Sequence, residues 1–302
     1  MKISGSGCII DKILESQKEG SGVEKQKRVA AIHDISGIGK CSLTAALPVI
    51  SAAGIEAAAL PTAVLSTHTG DISGYTYRDL TGDLPAVAAH WKALGIEFDG
   101  IYSGFLGSTE QVEMVCDFIE SFASDETVIL VDPAMADSGR MYTTFEDGFA
   151  EEMAKLCGKA DIIVPNLTEA AFLLGEEYHE PPYSKEYIEG LLERLTVLGP
   201  KKIVLTGVAF DDNEIGCAVF SNGIVHYRFS DKYDGIYYGT GDLFASALIG
   251  AYMRGKDIFE SSDIALEFTC AAIRRTYEAG TDTRFGVNFE QGIGDYIKKL
   301  GG

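Results

Sequence analysis

Val128-Ile129-Leu130-Val131-Asp132-Pro133 and, further along, Ile162-Ile163-Val164-Pro165-Asn166-Leu167-Thr168-Glu169 follow one pattern. Each is a short apolar run with no polar alternation, closed by proline and an oxygen-bearing side chain. A strand with one solvated face would alternate, so these runs read as strands buried on both faces of a parallel sheet. Similar runs occupy residues 29–33, 57–60, 100–102 and 203–205. Helical spacing of apolar residues fills the intervals at 42–53, 84–94, 109–123, 148–157, 168–174 and 184–198. Repeated strand–helix alternation with right-handed crossovers predicts an α/β, three-layer, doubly wound fold. Its central sheet is mostly parallel, with helices on both faces.

One segment breaks the pattern. Residues 215–220 and 224–229 flank Ser221-Asn222-Gly223, and Asn-Gly is a strong hairpin signal, so an antiparallel hairpin is expected at the sheet edge. Helices are expected after it at 242–253, 263–277 and 289–300. With no repeat or composition break after Val29, residues 23–302 form one domain. Residues 1–22 read as a linker-like or tag-like extension. Ser4-Gly5-Ser6-Gly7 and Gly20-Ser21-Gly22 are flexible linker chemistry, and Ile9, Ile10, Ile13 and Leu14 recur at helical spacing between them. An expression tag and an amphipathic docking peptide both fit.

The chain has 302 residues, with 25 Lys+Arg against 45 Asp+Glu and a formal net charge of −20. That field repels polyanions, so neither nucleic acid nor an anionic membrane is expected as a partner. A phosphate-bearing ligand must then be held by backbone amides, a few placed cations or metal ions. The six cysteines are scattered without a C-x-x-C pair, which fits reduced thiols in a cytoplasm. No apolar run approaches the roughly 20 residues that span a bilayer.

Two glycine motifs differ in promise. Ser36-Gly37-Ile38-Gly39-Lys40-Cys41-Ser42 departs from a Walker A loop, with Asp34 where a glycine is needed and Cys41 where a hydroxyl should bind metal. It reads as a turn that lets the backbone pass close to something at a strand's carboxyl end. Gly239-Thr240-Gly241-Asp242 runs into an apolar helix, so the amides of Gly239, Thr240 and Gly241 converge at the positive end of a helix dipole. Such an anion hole needs no net positive protein. Asp242 is either a helix-start acid or a base that accepts a hydroxyl proton during phosphoryl transfer. Asp132, Asn166 and Glu169 sit where strands end, and ligands of open α/β sheets bind there. Singly, Asp132 fits a turn cap and Glu169 a helix capping box. Together they form an oxygen donor set suited to Mg2+.

These segments, with the loop Ser66-Thr67-His68-Thr69-Gly70, resemble the pyridoxal kinase branch of the ribokinase-like superfamily, over Arg28 to Leu300. The resemblance implies an ATP-dependent kinase acting on the 5′-hydroxymethyl of pyridoxal, pyridoxamine or pyridoxine. It makes Asp242 the general base, with Gly239, Thr240 and Gly241 stabilising the transferring group. It places Asp132 and Glu169 at Mg2+, and Asp137, Asn166, Glu169, Thr206 and Gly207 at ATP. Asp34, His68, Thr69 and Phe105 fall on the vitamin side. A homodimer is implied, and often K+ besides Mg2+. Many relatives carry Tyr where Ser103-Gly104-Phe105 has Phe105; ring stacking survives this change but a phenol hydrogen bond does not. Asp34 stands where a Ser usually faces the ring; protonated it fits a pyridine nitrogen, and ionised it fits the amine of pyridoxamine, so the resemblance leaves the preferred vitamer open.

Hydroxymethylpyrimidine kinases of thiamine synthesis resemble the chain almost as well, since their substrate is also a planar nitrogen ring bearing a hydroxymethyl. Many of them carry Cys in place of Asp242. Sugar kinases of the superfamily carry an early Gly-Gly pair, which Ile38-Gly39 lacks, and no inserted strand block is visible here. A non-catalytic vitamin-binding relative is disfavoured, because unused carboxylates facing phosphates only weaken binding.

Overall fold

The computed structural model of the chain describes residues 25–145 and 147–302; the segment 1–22 lies outside them. The strands are β1 (Arg28–Ile38), β2 (Glu56–Thr67), β3 (Tyr77–Asp79), β4 (Gly100–Ser103), β5 (Val128–Val131), β6 (Ala136–Asp137), β7 (Arg140–Met141), β8 (Ile162–Ile163), β9 (Lys202–Val208), β10 (Glu214–Ser221) and β11 (Ile224–Asp231). The helices are α1 (Leu43–Ala52), α2 (Leu84–Ala93), α3 (Thr109–Phe122), α4 (Phe149–Cys157), α5 (Leu167–Leu173), α6 (Lys185–Leu195), α7 (Thr240–Met253), α8 (Ile258–Ala279) and α9 (Ile293–Lys299). Nine strands make one sheet in the order β11-β10-β9-β8-β5-β4-β1-β2-β3, and β6 pairs with β7 apart from it. Pairing is parallel from β2 to β9 and antiparallel at β9–β10, β10–β11 and β2–β3.

The unbroken apolar runs follow from a core on each face. Along β1, Val29 and Ala31 face α1, α7, α8 and α9, while Ala30 and Ile32 face α2 to α6. Successive side chains of a strand point to opposite faces, so neither set can be polar. Helix α7 is apolar all round, and residues 243–251 are buried, as suits a helix packed between α1, α8 and the sheet. The predicted hairpin is present as β10 and β11, which pair from Glu214↔Asp231 to Ser221↔Ile224 at one edge.

Several boundaries differ from expectation. Strand β2 continues past Pro61 to Thr67, β3 is added on Ala63–Leu65, and β6–β7 is a further small hairpin. The β1–β2 register shifts between His33↔Pro61 and Ile35↔Val64, and the two strands then run on together to Ile38↔Thr67. The extension is buried on one side only, with Ala63 and Leu65 inward and Val64 and Ser66 outward. It therefore lacks the continuous apolar run that marks the body of the sheet. This is the added strand block that the sequence did not reveal. Helix α8 starts at Ile258, not near residue 263, because the Asp257 side chain accepts from the Glu260 amide at 2.8 Å and caps it.

From β1 the chain moves to β2 on one side and later to β4 on the other. That reversal opens a crevice at the carboxyl ends of β1 and β4, the usual ligand position in such sheets. The wall of the crevice beyond β8 is set by a capping box on α5. Asn166 accepts from the Glu169 amide at 2.9 Å, Glu169 accepts from the Asn166 amide at 2.8 Å, and Asn166 Nδ2 donates to the Ala136 carbonyl at 2.8 Å. Asn166→Ala should lower stability by about 1 kcal/mol, read as a melting temperature about 2–4 °C lower in a thermal scan; an unchanged melting point would show that the box does not hold this wall.

Candidate active site

The start of α7 is shaped by close backbone contact. Gly239 has φ 73°, and a Cβ there would lie 2.1 Å from the Lys40 carbonyl oxygen and 3.0 Å from Cys41 Sγ. Both the conformation and the space demand glycine. Thr240 Oγ1 donates to the Tyr237 carbonyl at 3.0 Å and closes the turn. No side chain caps the helix, so its first-turn N–H groups point into the crevice with the positive end of the dipole behind them.

Asp242 is the third residue of α7 and Gly239 takes the cap position, so Asp242 is a first-turn acid and not the N-cap. Its side chain is 15% exposed. Burial raises its pKa to about 7, against the opposing pull of the Ser42 amide and with a further upward push from Asp34.

The glycine turn after β1 behaves as a close-approach element. A Cβ on Gly37 would lie 3.1 Å from the Ser66 carbonyl, and one on Gly39, at φ 103°, 2.6 Å from His68 Cδ2. Ser42 is held in the left-handed region at φ 53°. From there its amide favours ionised Asp242, and its hydroxyl favours ionised Asp34. Asp34 is 4% exposed and accepts from Ser36 Oγ at 3.2 Å, yet burial dominates and raises its pKa.

His68 has both nitrogens engaged: Nδ1 accepts from the Gly70 amide at 3.1 Å, and Nε2 meets the Arg284 carbonyl. Its ring packs at 5.0 Å on Tyr238, whose hydroxyl donates to Asp71. His68 thus braces the 66–71 loop and has no nitrogen left to face a substrate ring. Thr69 is half-buried beside it. Phe105 packs against Phe145 at 5.5 Å.

On the other flank, Asp132 is buried, and a Cβ on Gly241 would lie 3.9 Å from Asp132 Oδ2. Burial pushes the Asp132 carboxyl well up, and the charges of Glu169 and Asp242 push the same way. Glu169 is also raised by burial, although the Asn166 and Met135 amides donate to it at 2.8 and 3.1 Å. Glu169 therefore acts as the capping acid, and the Asn166 side chain is engaged at both ends. Asp137 is exposed and accepts from the Ser138 amide at 2.7 Å. Thr206 bonds the Pro165 carbonyl through N and Oγ1, and Gly207 follows it at φ 74°.

Among the described residues no three His, Cys, Asp or Glu form a metal cage. Asp132 beside a free helix start still fits Mg2+, which takes one or two carboxylates and shares the rest of its shell with phosphates and water.

Four site features were not foreseen. These are Ser42, Cys41 against Gly239, the Tyr238–Asp71 latch, and His33 within β1 beside Gly104 just past β4. The repeated glycines beside polar residues were the available signal, since each marks a close approach.

Residues 39–286 match the family of phosphomethylpyrimidine kinases. The chain superposes on a Bacteroides thetaiotaomicron protein assigned to the phosphomethylpyrimidine kinases and crystallised with pyridoxal; the TM-score is 0.86 and the identity 36%, covering 90% of this chain and 96% of that one. It also superposes on the pyridoxal kinase of Lactobacillus plantarum, with TM-score 0.83, 32% identity and coverage of 91% and 98%. The hydroxymethylpyrimidine/phosphomethylpyrimidine kinase of Aquifex aeolicus is 26% identical over 183 residues, 60% of this chain and 69% of that one.

The Asp132 carboxylate is held among other acids at a cost to stability. Asp132→Asn should raise the melting temperature of the ligand-free protein by about 2 °C or more, since an amide escapes the burial penalty and the repulsion that disfavour the carboxylate, worth about 1 kcal/mol. The same variant should lose ATP-dependent turnover. A lower melting point would show that Asp132 supports the fold, not the chemistry.

Proposed function

The chain belongs to the phosphomethylpyrimidine kinase family, in the pyridoxal kinase branch of the ribokinase-like superfamily, and we propose that it transfers the γ-phosphoryl group of ATP to the 5′-hydroxymethyl of pyridoxal, pyridoxamine or pyridoxine. The observation that carries this reading is a carboxylate with pKa about 7 on the first turn of an uncapped helix, with Asp132 next to the same turn.

Asp242 accepts the hydroxyl proton as the substrate oxygen bonds to phosphorus and the bond from phosphorus to the ADP oxygen breaks. A base near pH 7 is matched to this step. The amides of Gly239, Thr240 and Gly241 stabilise charge on the moving group without reorganising. Asp132, with Glu169 behind it, would hold Mg2+, which supplies neutralising charge at the phosphates. Asp137, Asn166, Thr206 and Gly207 shape the nucleotide side, Asn166 through the capping box that its side chain makes with Glu169.

On the vitamin side, burial favours protonated Asp34, the form that donates to a pyridine nitrogen. Phe105 offers a ring face, Thr69 a hydroxyl, and His68 holds their loop. A K+ requirement follows from the family resemblance alone. The reading includes a homodimer, with the β2–β3 edge, where Val64 and Tyr77 are 43% and 44% exposed, as its contact face. It also includes residence in the cytoplasm, in keeping with free Cys41, Cys116, Cys157, Cys217 and Cys270. No helix among the described residues is long and apolar enough to cross a membrane. Neither nucleic acid nor membrane belongs in the scheme. Residues 23–302 form the catalytic unit.

A second reading is hydroxymethylpyrimidine phosphorylation, favoured by the family match over residues 39–286. A coupled ADP-release assay over pyridoxal, pyridoxamine, pyridoxine and hydroxymethylpyrimidine separates the two. Turnover should appear with the pyridines and fall at least about a hundredfold in Asp242→Ala while ATP still binds. Turnover on hydroxymethylpyrimidine alone would support the second reading. A lack of turnover on all four acceptors would leave a binding protein.

A further inference from the structure

His33 lies at the β1–β2 register shift, one residue past the last β1–β4 pair, and is wholly buried. Among the described residues neither ring nitrogen has a hydrogen-bond partner. An imidazole always carries at least one N–H, and a buried donor without an acceptor is costly. The space around the ring is nonetheless fitted to it. Tyr102 packs edge-on at 4.3 Å, and position 104 is glycine, where a Cβ would lie 2.2 Å from His33 Nδ1. That nitrogen lies 3.8 Å from Asp242 Oδ1. Burial lowers the His33 pKa to about 3, so the ring is neutral and the contact is not an ion pair. The separation exceeds hydrogen-bond length by less than about 1 Å, an adjustment within reach of a side-chain rotation.

We infer that His33 is a positioning residue for the phosphoryl-transfer step, donating its Nδ1–H to Asp242 Oδ1 and thereby aiming the other carboxylate oxygen at the acceptor hydroxyl. This rests on the reading of Asp242 as the base. Ser42 approaches the same carboxylate with its amide, so His33 and Ser42 together fix the carboxylate rotamer. Orientation of a base has large kinetic consequences because proton transfer requires hydrogen-bond reach. Gly104 belongs to the same device: it gives the imidazole room beside Asp242, which accounts for a glycine between Ser103 and Phe105.

The test compares His33→Leu, His33→Asn and Gly104→Ala with the wild-type protein for kcat, for KM of vitamer and ATP, and for melting temperature. Asn places an N–H near the position of Nδ1, whereas Leu fills the space without a donor. His33→Leu should lower kcat by about tenfold or more with both KM values little changed, and His33→Asn should recover most of it. Gly104→Ala, which displaces an intact His33, should reproduce the loss of kcat. Wild-type kcat in His33→Leu would overturn the inference, and so would equal losses in His33→Leu and His33→Asn. If the wild-type protein phosphorylates none of the four acceptors, the reading of Asp242 as a base fails first and this inference falls with it.

Discussion

The backbone of Gly239 rests against the Lys40 carbonyl, and the meeting of Asp242 with Ser42 depends on that contact. It pins the start of α7 to the loop that leaves β1. Ser42 then reaches Asp242 with its amide, Asp34 lies on the near side, and Asp132 lies beneath Gly241. A larger residue at 239 would part the two loops and draw Asp242 away from Ser42. With a net charge of −20, the chain suits phosphate binding by helix-start amides, which need no net positive protein.

The arrangement carries an electrostatic cost. Asp34, Asp132, Glu169 and Asp242 are all pushed above their usual pKa by burial, and for Asp132, Glu169 and Asp242 neighbouring acids add to the effect. For such groups the folded state holds protons more tightly than the unfolded state. For Asp242 stability is therefore greatest below about pH 4, the unfolded carboxyl value, and declines as pH rises towards its folded value of about 7. At neutral pH the ligand-free protein holds acids it would prefer to protonate. Functional sites commonly trade stability in this way.

Much of the fold was legible because burial on both faces leaves a simple trace. Leu130 and Val131 enter opposite cores, as do Ile162 and Ile163, so neither run could contain a polar residue. The β10–β11 hairpin was legible through Asn222-Gly223, where both residues take positive φ. The extension of β2 beyond Pro61 was not, because one-sided burial and a proline imitate the end of a strand. At the site, Asp242 and the glycines around it stood out by sequence order, whereas Glu169 was ambiguous. The same Asn-x-x-Glu spacing suits a metal ligand and a capping box, and the structure shows the box. His68 was placed on the vitamin side by the family resemblance, but its ring nitrogens bond Gly70 and Arg284, and the second partner lies more than two hundred residues away. His33 was hidden inside an apolar run. Only the missing Cβ of Gly104, on a neighbouring strand, marks its ring.

The central claim is that Asp242, held at the mouth of an anion-binding helix start, takes the proton from the acceptor alcohol. The pH dependence of kcat/KM for the vitamer, at saturating ATP, tests it most directly. A base with pKa about 7 must be ionised to act, so kcat/KM should be level above that pH and fall tenfold per pH unit below it. A profile that stays flat down to about pH 5, near the range of an ordinary carboxyl, would contradict the account.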